Sequence, residues 1–227
     1  DGLLQHGGPE SASGIQQTSG GGEGGHGVHI LYPASPGLLG AAIMTAMLRF
    51  LTAGESHGRA LVAILEGMPA GLALSEDDIA VEMARRQFGY GRGGRMQIEQ
   101  DRAEIASGVM RGETIGAPIA LWIQNRDWRE DEPDITRPRP GHTDLVGAQK
   151  YGFRDVRRVL ERSSARETAA RVAVGAICRK FLSEFGIQLM SHVTEIGGVS
   201  IHDRPKRWEE IPERAAASAV RCVDPQA

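Results

Sequence analysis

Four short segments of this sequence concentrate groups able to move protons or hold anions. The first is Gly54-Glu55-Ser56-His57-Gly58, a histidine beside a small hydroxyl residue and between glycines. Glycine lets backbone approach a ligand closely, and imidazole can supply a proton near neutral pH. The segment also satisfies the G-x-S-x-G pattern of a nucleophile elbow, which would make Ser56 the nucleophile of a serine hydrolase. An elbow needs a strand before it and a helix after it. Strand-like Leu48 to Thr52 does precede, but Ala60 to Leu65 reads as a second strand, and no downstream Asp-then-His order stands out. The match is therefore taken as coincidental; a hydrolase would have to show reaction of Ser56 with active-site phosphonates.

The second segment places Arg85, Arg86, Arg92 and Arg95 around a glycine-rich stretch. Its Gly89-x-Gly91-x-x-Gly94 spacing matches a dinucleotide fingerprint but follows a predicted helix rather than a strand, so that match is rejected. Guanidinium forks on a glycine-rich loop can instead close over an anionic ligand, although a solvated basic loop would look the same. The third, Arg137-Pro138-Arg139-Pro140-Gly141-His142-Thr143-Asp144, holds His142 on a backbone restricted by two prolines, which makes it a general-acid candidate. In the fourth, Arg162-Ser163-Ser164-Ala165-Arg166-Glu167-Thr168, two hydroxyls and two guanidinium groups stand at a predicted helix N-terminus, where N–H groups and the helix dipole attract anions.

The elements that must position these groups alternate between short strands and longer helices. Leu61 to Glu66 reads as a strand ending in the turn Gly67-Met68-Pro69. Ser75 with Asp78 forms a capping-box signature, and Ile79, Met83 and Phe88 give the following helix an apolar face that ends before Gly89. Glu104 to Met110 and Pro118 to Gln124 read as paired strands around the turn 111–116. Ser164 with Glu167 opens the strongest predicted helix, with Val172, Ala173, Ala176, Ile177, Phe181 and Phe185 on its apolar positions and Gly186 as its stop. Gln188 to Ile201 reads as a further strand.

Composition narrows the function classes. With 41% hydrophobic and 24% charged residues the chain fits one globular domain, or a large piece of one. Residues 1–46 hold Asp1, Glu10 and Glu23 with no Lys or Arg, so the remainder carries 26 basic against 26 acidic side chains. That balance argues against a nucleic-acid binder. The basic set is 23 Arg to 3 Lys, a bias that suits a small polyanionic substrate, though genome composition alone could produce it. Cys178 and Cys222 make neither a disulfide framework nor a metal site, so no metal is expected and a reducing cytoplasm is the default. The first 46 residues are read as a disordered Gly/Ser-rich tail outside the enzyme proper, with Met47 as the natural start.

Taken in order, GESHG (54–58), RRQFGYGRGGR (85–95), RPGHTDLVGAQKYG (139–152) and LERSSARETAARVAVGA (160–176) resemble chorismate synthase. The resemblance runs from Met47 to about the end of the chain and covers the N-terminal half of that family. It implies an α+β fold, a sandwich of β-sheets with helices layered between them, of which this chain is a truncated N-terminal part. It also implies a lyase that removes phosphate and a ring proton from 5-enolpyruvylshikimate 3-phosphate to give chorismate, in the shikimate pathway of aromatic amino acid biosynthesis. Reduced FMN is the implied cofactor, with NADPH for flavin reduction, and the full-length protein is implied to be a homotetramer. By the family's pattern His57 protonates the departing phosphate and His142 keeps the reduced flavin in its correct protonation state. Arg86 and Arg92 match positions that grip substrate or nucleotide phosphate, and Arg162, Ser163 and Ser164 match an FMN-binding segment. Thr143 stands where the family usually has Ala. Family members also continue beyond this end point, with further flavin-binding segments and an aspartate that assists proton removal. The competing reading is accordingly a flavin- or phosphate-binding relative without lyase activity.

Overall fold

Two neighbouring runs of alternating burial organise the molecule. The computed structural model describes residues 47–91, 94, 98–130, 132–203, 205 and 207–226. The readings of the tail 1–46 and of Arg92 and Arg95 lie outside the described residues. Strands β1 (Arg49–Gly54) and β2 (Ala60–Glu66) form a hairpin. With β3 (Glu104–Ser107) and β6 (Ile119–Gln124) they complete an antiparallel sheet in the order β1-β2-β6-β3. Because side chains alternate across a strand, Leu61, Ala63 and Leu65 of β2 and Ile119, Leu121 and Ile123 of β6 share one face and are all buried.

Helices α1 (Glu76–Gln87) and α4 (Thr168–Ser183) cover that face. The covering surface of α4 is Ala169, Ala170, Ala173 and Ala176 around Ile177, small residues that let the helix lie close to the sheet, and α1 adds Ile79 and Met83. Burying each such Leu, Ile or Met side chain is worth about 1.5–3 kcal/mol, so this layer holds most of the stabilising apolar contact. The capping box of α1 forms as expected: Ser75 Oγ accepts from the Asp78 N–H, and Asp78 Oδ2 accepts from the Ser75 N–H at 2.9 Å. Gly186, at φ +71°, ends the α4 segment, with the Ile187 N–H donating back to the Leu182 carbonyl. Both cysteines are free thiols.

Two expectations need correction. The strand predicted over 104–110 breaks at Gly108 (φ +86°), where a side chain would stand 2.7 Å from Ile119 Cα. Beyond it, β4 (Val109–Met110) leaves the sheet to pair with β5 (Glu113–Thr114). The single strand predicted over 188–201 is instead a minimal hairpin, β7 (Glu195–Ile196) and β8 (Val199–Ser200). Gly197 and Gly198 both have positive φ, the conformation of a tight hairpin turn, and they fold the segment back on itself. The remaining helices are α2 (Asp144–Tyr151), α3 (Arg157–Arg162) and α5 (Ile211–Ala217). The architecture is α+β, as expected. No helix among the described residues is long and apolar enough to cross a membrane.

Candidate active site

The β1–β2 hairpin loop lies against the junction where α3 hands over to α4, which joins two of the four predicted segments. Gly54, at φ +100°, makes the close turn: a Cβ there would meet the Ala60 carbonyl oxygen at 2.3 Å. The Ser56 N–H donates to the Glu161 carbonyl at 3.1 Å, and Ser56 Oγ donates to Ser164 Oγ at 3.0 Å. Arg162 Nη1 donates to the Gly54 carbonyl. His57 is held twice by Glu161, through its backbone N–H to Oε2 at 2.6 Å and through Nδ1 with Oε1 at 2.9 Å. His57 Nε2 faces Asp127 Oδ2 at 3.9 Å and stays partly accessible. With β2 rather than a helix following the loop, the nucleophile-elbow reading of Ser56 has no structural basis.

A buried polar network supports the hairpin from beneath. Asn125, directly after β6, donates from Nδ2 to the carbonyls of Glu55 (3.0 Å) and Gly58 (2.8 Å). Its Oδ1 accepts from Arg166 Nε at 2.8 Å. The Arg166 guanidinium also pairs with Asp101, and Glu99 Oε2 stands 3.5 Å from its Nη2. Sequence reasoning placed Arg166 among the anion-binding groups; the structure buries it instead, because two internal carboxylates claim it. Arg86 is committed similarly. Its side chain is 9% exposed and donates to Asp101 Oδ2 (3.0 Å), Thr168 Oγ1 (3.1 Å) and the Ala165 carbonyl (3.1 Å), tying α1 to the start of α4.

The helix-junction segment differs in detail from the predicted cap. Ser164 caps a 3-10 turn (Ala165–Glu167) rather than α4 itself, accepting from the Arg166 N–H. Glu167 does not close a capping box; its carboxylate accepts from Thr52 Oγ1 at 2.6 Å and pairs with Arg171. The N–H groups of Ser163, Arg166, Glu167 and Thr168 are all bonded internally. What the segment offers a ligand is therefore chiefly side chains, the exposed Arg162 guanidinium and the part-buried hydroxyls of Ser163 and Ser164. Among the described residues no cluster of three or more His, Cys, Asp or Glu could hold a metal ion.

His142 stands on a different loop. Its backbone N–H donates to the Arg139 carbonyl at 3.4 Å, its side chain is exposed, and among the described residues no hydrogen bond joins it to the GESHG hairpin. The loop is fixed by the fully buried Asp144, which accepts from the Arg139 N–H and from its Nε and Nη2 at 2.9–3.0 Å. The Arg139 guanidinium holds the Asp144 carboxyl at about 2 against the opposing effect of burial, with a smaller contribution from the charge of His142. A depressed carboxyl stabilises the fold fully above its unfolded value of about 3.9 and loses that contribution as pH falls towards the folded value. Asp144→Asn should therefore flatten the acid limb of the stability curve between about pH 4 and pH 2. Denaturant unfolding across that range would show it; parallel curves for the two proteins would contradict the assignment.

Fold and site together define an α+β protein whose candidate site is a histidine-bearing hairpin docked on a helix junction of arginine and serine. A model of the chorismate synthase family matches residues 48–227, and the chain belongs to that family. The chorismate synthase of Geobacter sulfurreducens is 54% identical over 194 residues, covering 80% of this chain and 49% of the relative. That of Aquifex aeolicus is 55% identical over 200 residues, covering 79% and 50%. A solved crystal structure of chorismate synthase superposes with a TM-score of 0.65 at 50% identity, over 79% of this chain and 49% of the other. The chain thus spans about half the length of the curated relatives it matches.

Proposed function

We propose that this chain supplies the histidine-bearing half of a chorismate synthase active site. The reaction is a carbon–oxygen lyase step in which 5-enolpyruvylshikimate 3-phosphate loses phosphate and a ring proton to give chorismate. The observation that carries the reading is the docking of the His57 hairpin onto the helix junction, with Gly54 and Ser56 bonded to Arg162 and Ser164 and His57 bonded to Glu161, which would place a proton donor next to an arginine and two serines. Charge building on a leaving phosphate is stabilised by fixed donors, and a general acid completes its departure. His57 would protonate the phosphate, and His142 would hold the reduced flavin in its correct protonation state.

The donor set fits the phosphate of FMN. Arg162 spends one nitrogen on the Gly54 carbonyl and keeps others for an anion, and Ser163 and Ser164 stand beside it. When bound, reduced FMN lends electron density to the substrate with no net redox change; the chain's task is to orient both and exclude water. Arg92 would grip a substrate or nucleotide phosphate, with Arg86 contributing to the same phosphate only through N–H groups not engaged by Asp101, Thr168 and the Ala165 carbonyl, and NADPH would serve only to reduce the flavin. A cytoplasmic homotetramer belongs to the same reading.

Arg162→Ala should weaken FMN binding by about 1–3 kcal/mol, the worth of a charge-assisted hydrogen bond, as read by fluorescence titration of the native gene product. Unchanged affinity would reduce Arg162 to a tether for the Gly54 carbonyl.

A further inference from the structure

The last turn of α3 carries Glu161 to a place where its two carboxylate oxygens meet two different groups of one residue. Oε2 accepts from the His57 backbone N–H at 2.6 Å, and Oε1 lies 2.9 Å from His57 Nδ1. The Glu161 side chain is only 12% exposed, and Arg157 Nη1 stands 3.8 Å from Oε1 while pairing with Glu132 Oε2 at 3.1 Å, a positive charge shared between the two carboxylates. An ionised carboxylate can only accept, so the Nδ1 facing it must carry a hydrogen. In the neutral ring that leaves the lone pair on Nε2, the nitrogen turned towards Asp127 and the accessible side of the loop.

We infer that Glu161 is a positioning residue that fixes the orientation and tautomer of His57, keeping a proton on Nδ1 and reserving Nε2 for exchange with the ligand. The cationic ring then holds its transferable proton on Nε2, and after giving it up relaxes to a tautomer the site already favours. The tautomer part stands on geometry alone; its use in catalysis rests on His57 being the acid proposed above.

Glu161→Gln separates these parts, since Gln offers one acceptor and one donor where Glu offers two acceptors. The backbone N–H of His57 can only donate, so it takes the amide oxygen, and the amide NH2 then faces Nδ1. That contact accommodates only an unprotonated Nδ1. Long-range 1H–15N correlation spectra of histidine-labelled protein, about two pH units above the ordinary histidine value, report the tautomer directly. His57→Gln identifies its signals. The native protein should show the Nδ1–H form and Glu161→Gln the Nε2–H form, with turnover of the native gene product falling about 10- to 100-fold. Glu161→Asp, which keeps two acceptors, should retain the Nδ1–H form. An Nε2–H ring in the native protein overturns the inference without recourse to any variant, as does an unchanged tautomer in a folded Glu161→Gln. A tautomer switch with native turnover would uphold the pairing and overturn His57 as the acid.

Discussion

His57→Ala is expected to slow phosphate loss by about 100- to 10,000-fold while leaving FMN bound, because a positioned general acid contributes that much and the imidazole is not among the groups assigned to the cofactor. The change removes the ring that Glu161 holds, but it leaves the backbone N–H that anchors the loop to the same carboxylate. Loop geometry should therefore survive. His142→Ala should reduce turnover to a similar degree by another route, altering the protonation of bound reduced FMN, which its absorbance spectrum reports. The structure keeps the two histidines on separate loops, one pinned by Glu161 and the other by the Arg139–Asp144 pair, so their effects should be separable. Rapid-quench measurement of phosphate release, with FMN titration alongside, checks both. If both variants turn over within a few-fold of wild type, neither histidine is an acid here.

Arg166→Ala should be among the most damaging single changes to stability, at about 3–5 kcal/mol, the cost of breaking a buried ion pair by removing one partner. The Arg166 side chain is 3% exposed, and the Asp101 and Glu99 side chains at its guanidinium are 0% and 2% exposed. Without it Glu99 and Asp101 lose the guanidinium they share, leaving Arg86 as the cation paired with Asp101, and Asn125 Oδ1 loses its donor. Since Asn125 also carries the carbonyls of Glu55 and Gly58, the damage should reach the His57 loop. Replacing Arg166 by Met together with Asp101 by Asn should recover part of the loss, because an apolar or neutral pair leaves less charge stranded. Denaturant unfolding midpoints measure both. A loss below about 1 kcal/mol for Arg166→Ala would mean that the network does not support the site.

What could be read in advance follows the range of the interactions involved. Helix α1 is legible because its cap, Ser75 with Asp78, and its buried positions Ile79 and Met83 lie within one element; Phe88, expected on the same face, instead lies exposed at the C-cap. The β1–β2 hairpin is legible because two strand-like runs flank Gly54 and Gly58. Residues 188–201 mislead because Val193, Thr194, Ile196, Val199 and Ile201 have strand character, whereas the Gly197-Gly198 pair alone decides that the chain turns back. Arg166 looks like a ligand group from its neighbours Arg162 and Ser164, but its fate is set by Asp101, 65 positions away. Glu161 and His57 are 104 positions apart, and nothing local in either segment announces the pairing. The one available signal was a carboxylate placed directly before the Arg162-Ser163-Ser164 run, an odd choice beside an anion site unless something else needs it.

Whether the hairpin and the helix junction serve phosphate elimination is decided by incubating the native gene product anaerobically with 5-enolpyruvylshikimate 3-phosphate and reduced FMN, then quantifying chorismate and inorganic phosphate. Equal amounts of both products are expected, with a requirement for reduced flavin without its net consumption, and near-complete loss of both in His57→Ala. Binding of FMN without formation of chorismate would contradict it, and would make the protein a flavin-binding relative that lacks the lyase reaction.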